Sequence, residues 1–283
     1  MHSIEELKRI ATQVRRDILR MTNAAKSGHP GGSLGCADFL TALYFHILDH
    51  DPENFNMDGK GQDLFFLSNG HLSPAWYSVL ARSGYFPVSE LASFRKLSTR
   101  LQGHPATHEN LPGIRISSGS LGQGLSVAIG AALAKKLNGD NKLVYCLTGD
   151  GEIQEGQIWE AAMFAPAHKT DNIIAVIDYN RKQIDGSTDD VIPLGNLLDK
   201  WKSFGWETLE MNGNDMTSII NIMDMAKSIT GRKMPVMIIM KTEMGMGVDF
   251  MTGTHLWHGV APNDDQLETA LKQLDETLGD FKF

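Results

Sequence analysis

The stretch GDGEIQEGQIWEAAMFAPAHKTDNIIAVIDYNRKQIDG occupies residues 149–186 and decides the fold of this chain. It follows a short apolar run, KLVYCLT (142–148), and it contains a second one, NIIAVIDYN (172–180). Continuous apolar runs of this length, bounded by turn residues, are typical of strands buried on both faces. A helical pattern lies between them, in which Pro166 is expected to break or bend the helix. We therefore predict a strand–helix–strand unit of a parallel sheet.

The same alternation of apolar runs and helical patterns continues on both sides of that stretch. The further predicted elements are a strand at DLFFLS (63–68), a Gly-rich loop opening a helix (119–139), a strand at WETLEM (206–211), a helix at about 215–228 and a strand at PVMIIMKTEMG (235–245). Strands alternating with helices indicate an α/β fold with an open, mostly parallel sheet and helices on both faces. We predict a single domain over residues 1–283, with a helical tail from about residue 262.

Composition limits the classes of protein to which the chain can belong. Apolar residues make up 42% and charged residues 21% of the sequence, which is ordinary for a folded globular protein. A formal net charge of −8 argues against a nucleic-acid partner, because such proteins usually carry a basic face. The charged N-terminus resembles neither a secretory signal nor a membrane span. Cys36 and Cys146 form no metal or disulfide pattern, so we expect buried thiols in a cytoplasmic protein without a membrane partner.

Two polar residues follow the two apolar strands of the opening stretch. Asp150 comes directly after the first strand, and Asn180 ends the second. In open parallel sheets ligands bind outside the carboxyl ends of the strands, so these two side chains are expected to meet. A carboxylate and an amide oxygen, completed by a backbone carbonyl near Lys182 and by phosphate oxygens, suit Mg²⁺. The Gly-Asp-Gly turn alone is equally compatible with an ordinary tight turn between a strand and a helix.

Motifs along nearly the whole chain identify the family that it resembles. Residues 149–186 match the thiamine diphosphate signature, which runs from Gly-Asp-Gly to Asn, in the form that transketolases carry. Five further motifs stand in the order of the transketolase N-terminal domain: SGHPG (27–31), LSNGH (67–71), GHP (103–105), GSLGQG (119–124) and HGVAP (258–262). The sequence therefore resembles the diphosphate-binding part of a transketolase. This resemblance implies the thiamine-diphosphate-binding fold, with thiamine diphosphate and Mg²⁺ or another divalent cation as cofactors.

The resemblance assigns roles at the metal and diphosphate end of the cofactor. It implies that Asp150, Asn180 and the carbonyl of Lys182 hold Mg²⁺. Gly149 and Gly151 would let the backbone approach the cofactor closely, and the Gly151 N–H would donate to the diphosphate. These are glycine and hard-oxygen positions, as a phosphate–magnesium site requires.

The resemblance also assigns roles to the histidines of the motifs. His71 and His258 would donate hydrogen bonds to diphosphate oxygens, and His258 is counted among the catalytic residues as well. His29 and His104 would face the sugar and move protons, a duty for a group that titrates near neutral pH. His255 has a family counterpart, and its role is left open. The alternative for any single loop histidine is a surface or capping residue.

The rest of the cofactor is assigned to loop and helix residues. The aminopyrimidine side would be lined by Gly119, Ser120 and Leu121. Met244 would pack against the thiazolium ring, although without the resemblance it would be an ordinary core residue. Glu155, also placed at the cofactor, and Glu160 match acidic residues near the family's dimer interface. A solvated helix face is the alternative for both glutamates.

The resemblance further implies what this sequence does not contain. In transketolases the glutamate that activates thiamine diphosphate belongs to a second, pyrimidine-binding domain, as do most groups that bind the sugar phosphate. The sequence ends at Phe283, just after the last N-terminal motif. We therefore expect a split transketolase, in which a separate C-terminal chain completes an α₂β₂ enzyme. That enzyme would transfer a two-carbon ketol unit between sugar phosphates.

Other interpretations remain open at the level of sequence. The α chain of a 2-oxoacid dehydrogenase shares the Gly-Asp-Gly and Asn pattern, and deoxyxylulose-phosphate synthase is a further thiamine diphosphate relative. A cofactor-binding module that never catalyses is the alternative from another class. Within the transketolase interpretation, both pentose phosphates and a branched sugar phosphate are compatible substrates.

Overall fold

A parallel five-stranded sheet forms the centre of the computed structural model, which describes residues 2–283. The strands lie in the order β1-β2-β3-β7-β6, and every neighbouring pair is parallel. They are β1 (Leu64–Leu67), β2 (Val144–Gly149), β3 (Ile173–Tyr179), β6 (Glu207–Asn212) and β7 (Val236–Lys241). A small antiparallel hairpin of β4 (Lys182–Gln183) and β5 (Gly186–Ser187) follows β3. The predicted α/β fold with a mostly parallel sheet is confirmed.

Helices connect the strands and cover the sheet. They are α1 (Ile4–Ala25), α2 (Pro30–Gly35), α3 (Ala37–Ala42), α4 (Ser73–Arg82), α5 (Gly124–Leu137), α6 (Gly156–Ala167), α7 (Thr188–Val191), α8 (Leu197–Ser203), α9 (Met216–Ile229) and α10 (Asp264–Leu271). Within residues 2–283, no helix combines the length and the apolar character needed to cross a bilayer.

The apolar strands bury both of their faces, each in a separate core. Alternate residues of β3 show this arrangement, because Ile174 and Val176 belong to one cluster while Ile173, Ala175 and Ile177 belong to the other. The first core is completed by α1, α3, α4 and α9, and the second by α5, α6 and α8. Continuous apolar strands are stable only when helices cover both faces of the sheet, as they do here.

Helix α1 begins with a capping box and ends just before the loop that carries His29. Ser3 and Glu6 satisfy each other's backbone N–H groups at its start, and Lys26 closes it in the left-handed conformation. In its middle, the fully buried Asp17 accepts hydrogen bonds from Arg82 of α4 at 2.5 and 2.8 Å. This ion pair fixes α1 against α4, the helix that directly follows His71.

Pro166 does not break α6, which was one of the two outcomes expected from the sequence. The helix continues to Ala167, so that the proline lies in its last turn. A proline at this position cannot donate to the carbonyl of Ala162, four residues earlier. Trp206 supplies the missing donor instead, because its indole N–H lies 2.9 Å from that oxygen. A side chain at the start of β6 thus satisfies the carbonyl that the proline leaves free.

The end of the chain is helical only over α10. The following residues run without regular structure along α1, where Arg16 binds Asp280 at 2.6 and 2.9 Å. Arg16 also donates to the carbonyls of Leu271 and Leu274, and Phe281 is buried. In a longer helix the carbonyls of Leu271 and Leu274 would accept backbone N–H groups, whereas here they accept from the side chain of Arg16. The helical tail predicted from about residue 262 therefore ends at Leu271.

Candidate active site

A cleft of about 310 Å³ opens at the carboxyl ends of β2 and β3. The two strands pair with Gly149 opposite Asp178, which brings the residues after each strand to the same edge of the sheet. The cleft is lined by His29, Gly32, Asn69, His71, His104, Gly119, Leu121, Gly149, Asp150, Gly151, Glu152, Asp178, Asn180, Lys182, Gln183, Ile184, Met244 and His258. Its volume is within the range of small-molecule sites in proteins.

Asp150 is a buried carboxylate held by backbone donors. The Gly151 N–H donates to its Oδ1 at 2.7 Å, and the Arg181 N–H donates to its Oδ2. Arg181 adopts a left-handed conformation (φ 60°), which turns its N–H back toward β2. Burial, with the carboxylate of Asp178 as the second cause, raises the pKa of Asp150 to about 8. The position therefore lacks a compensating positive charge.

Asn180 faces the same part of the cleft, and its amide orientation is fixed from two sides. Its Nδ2 donates to Asp178 Oδ2 at 2.8 Å, and its Oδ1 accepts the Lys182 N–H at 2.9 Å. The Lys182 side chain turns away and binds Glu243 at 3.0 Å. The Asn180 Oδ1 keeps a free lone pair, since an amide oxygen can accept two hydrogen bonds.

Four histidines from four separate loops line the same cleft and form one cluster. The ring of His29 lies 5.1 Å from that of His71, 6.1 Å from that of His104 and 5.6 Å from that of His258, centroid to centroid. His71 and His258 are 5.2 Å apart. The sequence motifs that carry these residues are thus brought together into one cluster.

Backbone contacts between loops place His29 and His258. Gly31, two residues after His29, donates to the carbonyl of Trp257 at 3.0 Å and accepts from Gly245 at 2.9 Å. A Cβ at Gly31 would lie 2.7 Å from that same Trp257 oxygen and 2.7 Å from the Met244 side chain. Only glycine permits this approach, which sets His29, His258 and Met244 around one space.

Glycines also place His71 and His104. A Cβ at Gly70 would lie 2.8–2.9 Å from the backbone of Ser118 and Gly119, so the loop before His71 packs directly on the Gly-rich loop. Gly119 has a positive φ of 133°, and a Cβ there would lie 2.9 Å from the His104 ring. The loop expected at the aminopyrimidine side therefore also supports His104.

Burial keeps the histidines of the cleft in their neutral form. Burial, aided by His258, Arg95 and His104, lowers the pKa of His29 to about 4. The pKa of His71 is lowered well below its usual value, first by burial and then by the other histidines. A neutral imidazole carries one donor and one acceptor nitrogen, so each ring can both bind an oxygen and take a proton.

The depressed pKa of His29 gives a testable pH dependence of stability. In the unfolded chain the His29 imidazole is protonated below its ordinary pKa of 6.5, whereas in the folded chain it is protonated only near pH 4. The stability that His29 contributes is therefore complete above about pH 6.5 and is lost as the pH falls toward about 4. Thermal unfolding of the metal-free chain from pH 4 to 8 should show a shallower acid loss in His29→Asn. Identical slopes would contradict the neutral, buried state of His29.

Unpaired polar atoms show that the cleft fits a polar ligand. Within the described residues, the amide N and O of Asn69 and the Nδ1 atoms of His29 and His258 are buried without a hydrogen-bond partner. Buried polar groups are normally paired, so a bound molecule with hydrogen-bonding oxygens would satisfy them. No three His, Cys, Asp or Glu side chains of residues 2–283 could hold a metal on their own. Asp150 and Asn180 therefore suit a cation whose remaining ligands are backbone, phosphate and water oxygens.

Some residues of the cleft were not predicted from the sequence. Asn69, Glu152 and Asp178 line it, and Glu152 joins the cleft walls by accepting the N–H groups of Gly122 at 2.8 Å and Gly149 at 2.9 Å. Glu152 also accepts from Ser68, so it ties the end of β1 to the Gly-rich loop and the turn after β2. Glu152, next to the Gly-Asp-Gly turn, was the one of the three with a sequence signal, namely a polar residue just after a strand end.

Arg95 was also missed. Its guanidinium lies against Gly103, beside His104, and donates to Ser27 Oγ at 3.1 Å. Arg95 has a left-handed backbone (φ 56°), which a sequence pattern does not reveal. It places a positive charge on the His104 side of the cleft, and this charge contributes to lowering the pKa of His104 after burial.

The structure does not bring every predicted residue into the cleft. Ser120 and Glu155 are exposed and lie outside its lining, although the Glu155 side chain lies close to the Gly-rich loop at Gly122. Glu160 is exposed on α6, and His255 stands outside the lining, with its carbonyl accepting the His258 N–H. The other residues predicted for the cofactor, metal and catalytic sites all line the cleft.

The fold and the cleft define a class of protein, the thiamine diphosphate-binding α/β domain. Residues 7–279 match the family described as "Transketolase, thiamine diphosphate binding domain". The match covers nearly the whole chain. The chain therefore belongs to the transketolase family, as a transketolase subunit of the N-terminal, thiamine diphosphate-binding type.

Individual relatives agree with that assignment. The chain is 38% identical to an apulose-4-phosphate transketolase subunit of Actinobacillus succinogenes, over 97% of this chain and 98% of that protein. It is also 38% identical to 6-deoxy-6-sulfo-D-fructose transketolase subunit SqwG of a Clostridium species, over 96% and 97% of the two chains. The crystal structure of Campylobacter jejuni transketolase superposes with a TM-score of 0.88 at 34% identity. That match covers 96% of this chain but 43% of the longer transketolase.

Proposed function

We propose that this chain is the cofactor-binding subunit of a two-chain transketolase that uses thiamine diphosphate and Mg²⁺. The observation that carries the proposal is the single cleft that brings together a cluster of four histidines and the pair formed by Asp150 and Asn180. In such an enzyme the substrates are sugar phosphates, between which a two-carbon ketol unit is transferred. We assign the reaction to the cytoplasm, where the buried free thiols of Cys36 and Cys146 stay reduced.

The residues of the cleft divide the work between binding and proton transfer. Asp150, Asn180 and the Lys182 carbonyl would hold Mg²⁺, while His71 and His258 would donate to the diphosphate. The Gly151 N–H, which the resemblance also assigns to the diphosphate, donates to Asp150 Oδ1 in this structure. Thiamine diphosphate, when bound, would supply the nucleophilic carbon that the side chains of this chain lack. His29 and His104 are the two histidines of the cleft that remain for proton transfer.

His29 and His104 would accept and return protons at the sugar hydroxyls. Their neutral state at physiological pH suits this role, because a neutral imidazole can take a proton directly. Arg95 stands beside His104 and would attract the anionic end of the substrate. Met244, whose side chain is almost fully buried at the cleft, would support the thiazolium ring by packing.

Two features support the proposal of a partner chain. The carboxylates that line the cleft are all hydrogen-bonded within this chain, and apolar side chains are exposed at its rim. Asp150, Glu152 and Asp178 are the carboxylates that line it, and all three are engaged by hydrogen bonds within the chain. None of these three is therefore available to activate the pyrimidine ring of the cofactor.

The rim carries exposed apolar side chains that a partner would cover. Ile184, Leu256 and Val260 are exposed by 65%, 65% and 56%, and Ile184 itself lines the cleft. Clustered exposed apolar residues of this kind mark interaction surfaces. We propose that a pyrimidine-binding C-terminal chain closes the cleft and that two copies of each chain form an α₂β₂ enzyme.

Reconstitution tests this proposal. The purified chain, with Mg²⁺ and thiamine diphosphate, is expected to bind the cofactor but to transfer no ketol unit between sugar phosphates. Addition of a C-terminal transketolase chain from the same genome should restore transfer, and sedimentation should show a species of two copies of each chain. Turnover by the chain alone would refute the need for a partner. A mixture that binds cofactor without turnover would favour a non-catalytic module.

A further inference from the structure

Asp178 contacts both Asp150 and Asn180, and the proposed function assigns it no role. It occupies the second-last position of β3, where its Cα is paired with that of Gly149 on β2 and that of Met240 on β7. Its side chain is 2% exposed and borders the cleft. A carboxylate buried to this degree requires both hydrogen-bond partners and a compensating charge.

The backbone of Asp178 holds Asp150. Its carbonyl accepts the Asp150 N–H at 3.1 Å, which continues the ladder between β2 and β3 by one more bond. Asp150 is thereby kept in line with β3 while its carboxylate receives the N–H groups of Gly151 and Arg181.

The side chain of Asp178 holds Asn180. Its Oδ2 accepts from Asn180 Nδ2 at 2.8 Å, whereas the Lys182 N–H donates to Asn180 Oδ1 at 2.9 Å. A carboxylate can only accept and a backbone N–H can only donate, so the two contacts together exclude the flipped amide. The oxygen of Asn180 is the atom that remains available for a further ligand.

Asp178 is itself anchored by neutral groups only. Its Oδ1 accepts from Thr242 Oγ1, just after β7, and its carboxylate adds to burial in raising the pKa of the nearby Cys36 thiol. Within residues 2–283, no Lys, Arg or His side chain forms an ion pair with Asp178 or with Asp150. Two buried carboxylates thus share one strand edge without a protein cation.

We propose that Asp178 is a positioning residue that orients Asn180 and Asp150 toward a divalent cation and adds negative charge beneath it without binding it. In this arrangement its oxygens hold Asn180 and Thr242, and Asp150 and Asn180 supply the ligands. This inference rests on the proposed function, since it requires a divalent cation at Asp150 and Asn180. Residues that orient metal ligands in this way affect metal affinity strongly although they do not touch the metal.

The test uses Asp178→Asn, which keeps the shape of the side chain. The new amide has one accepting end, so it can serve Asn180 only if Thr242 becomes the acceptor of its NH₂ group, and otherwise its NH₂ group opposes Asn180 Nδ2. In either arrangement the negative charge is lost and the orientation of Asn180 is less firmly held. Mn²⁺ binding to the purified chain with thiamine diphosphate, followed by electron spin resonance, should weaken about 10- to 100-fold. The melting temperature of the metal-free chain should be unchanged or higher, because a buried charge without a cationic partner is removed.

Thr242→Val serves as a second variant. It removes one anchor of Asp178 but keeps the carboxylate and its contact to Asn180, so Mn²⁺ affinity should fall less than in Asp178→Asn. Parental Mn²⁺ affinity in Asp178→Asn would overturn the inference. A weakened affinity combined with a lowered metal-free melting temperature would also overturn it, because it would indicate a structural role alone. If the parental chain itself binds neither Mn²⁺ nor thiamine diphosphate, the proposed function fails first.

Discussion

Asp150→Ala is expected to abolish Mg²⁺-dependent binding of thiamine diphosphate. The substitution removes the carboxylate that lies at the centre of the proposed cation site, and the diphosphate oxygens would then lack a compensating charge. Isothermal titration of the purified chain with thiamine diphosphate, with and without Mg²⁺, measures the effect directly. Binding should become undetectable in the variant under conditions that saturate the parental chain.

Two further variants make that result interpretable. Asp150→Asn keeps an oxygen acceptor for one of the two backbone N–H groups, those of Gly151 and Arg181, and removes a buried carboxylate, so it should fold with at most a modest change in melting temperature and still bind far more weakly. Asp185→Ala removes an exposed carboxylate from the turn of the nearby β4–β5 hairpin and should leave affinity unchanged. Normal cofactor affinity in Asp150→Ala would show that the metal does not bind at this strand end.

His29→Ala is expected to slow the reconstituted enzyme by about 10²–10⁴-fold, the usual contribution of a general acid or base. Cofactor affinity should change little, because His71 and His258 remain to bind the diphosphate. The variant should also fold well, since the His29 Nδ1 has no protein partner that its removal would leave unpaired. Steady-state ketol transfer and a parallel cofactor titration separate the two effects.

The matched control is His108→Ala, because His108 is a highly exposed histidine outside the cleft. It should leave both the rate and the affinity unchanged. A larger loss of cofactor affinity than of rate in His29→Ala would reassign His29 to the diphosphate and leave proton transfer to His104.

The convergence of Asp150 and Asn180 could be predicted from sequence because it depends on local rules. Each residue ends an apolar strand, and the ends of parallel strands share one edge of the sheet. The histidine cluster could not be predicted from such local rules. His29 and His258 lie far apart in the sequence, and backbone contacts between their loops bring them together. No local pattern encodes such contacts, so the motif order supplied the prediction.

The parts that could not be predicted from sequence depend on single tertiary contacts. Pro166 is compatible with α6 only because Trp206, from another element, satisfies Ala162. Asp178 looks like one more residue of an apolar strand until its neighbours on β2 and β7 are known. Asn69 is recognisable only once both of its amide atoms are found buried and unpaired.

The pairing of β2 with β3 also limits which changes of length this chain tolerates. Asp178 faces the Cys36 side of the sheet because of its position in the two-residue alternation of β3. A one-residue insertion or deletion inside β3 before Asp178 would turn Asp178 to the opposite face of the sheet and change the register of Asp178 and Asn180 against Asp150. Relatives that keep this chemistry should therefore vary in length in their surface loops and not within this strand.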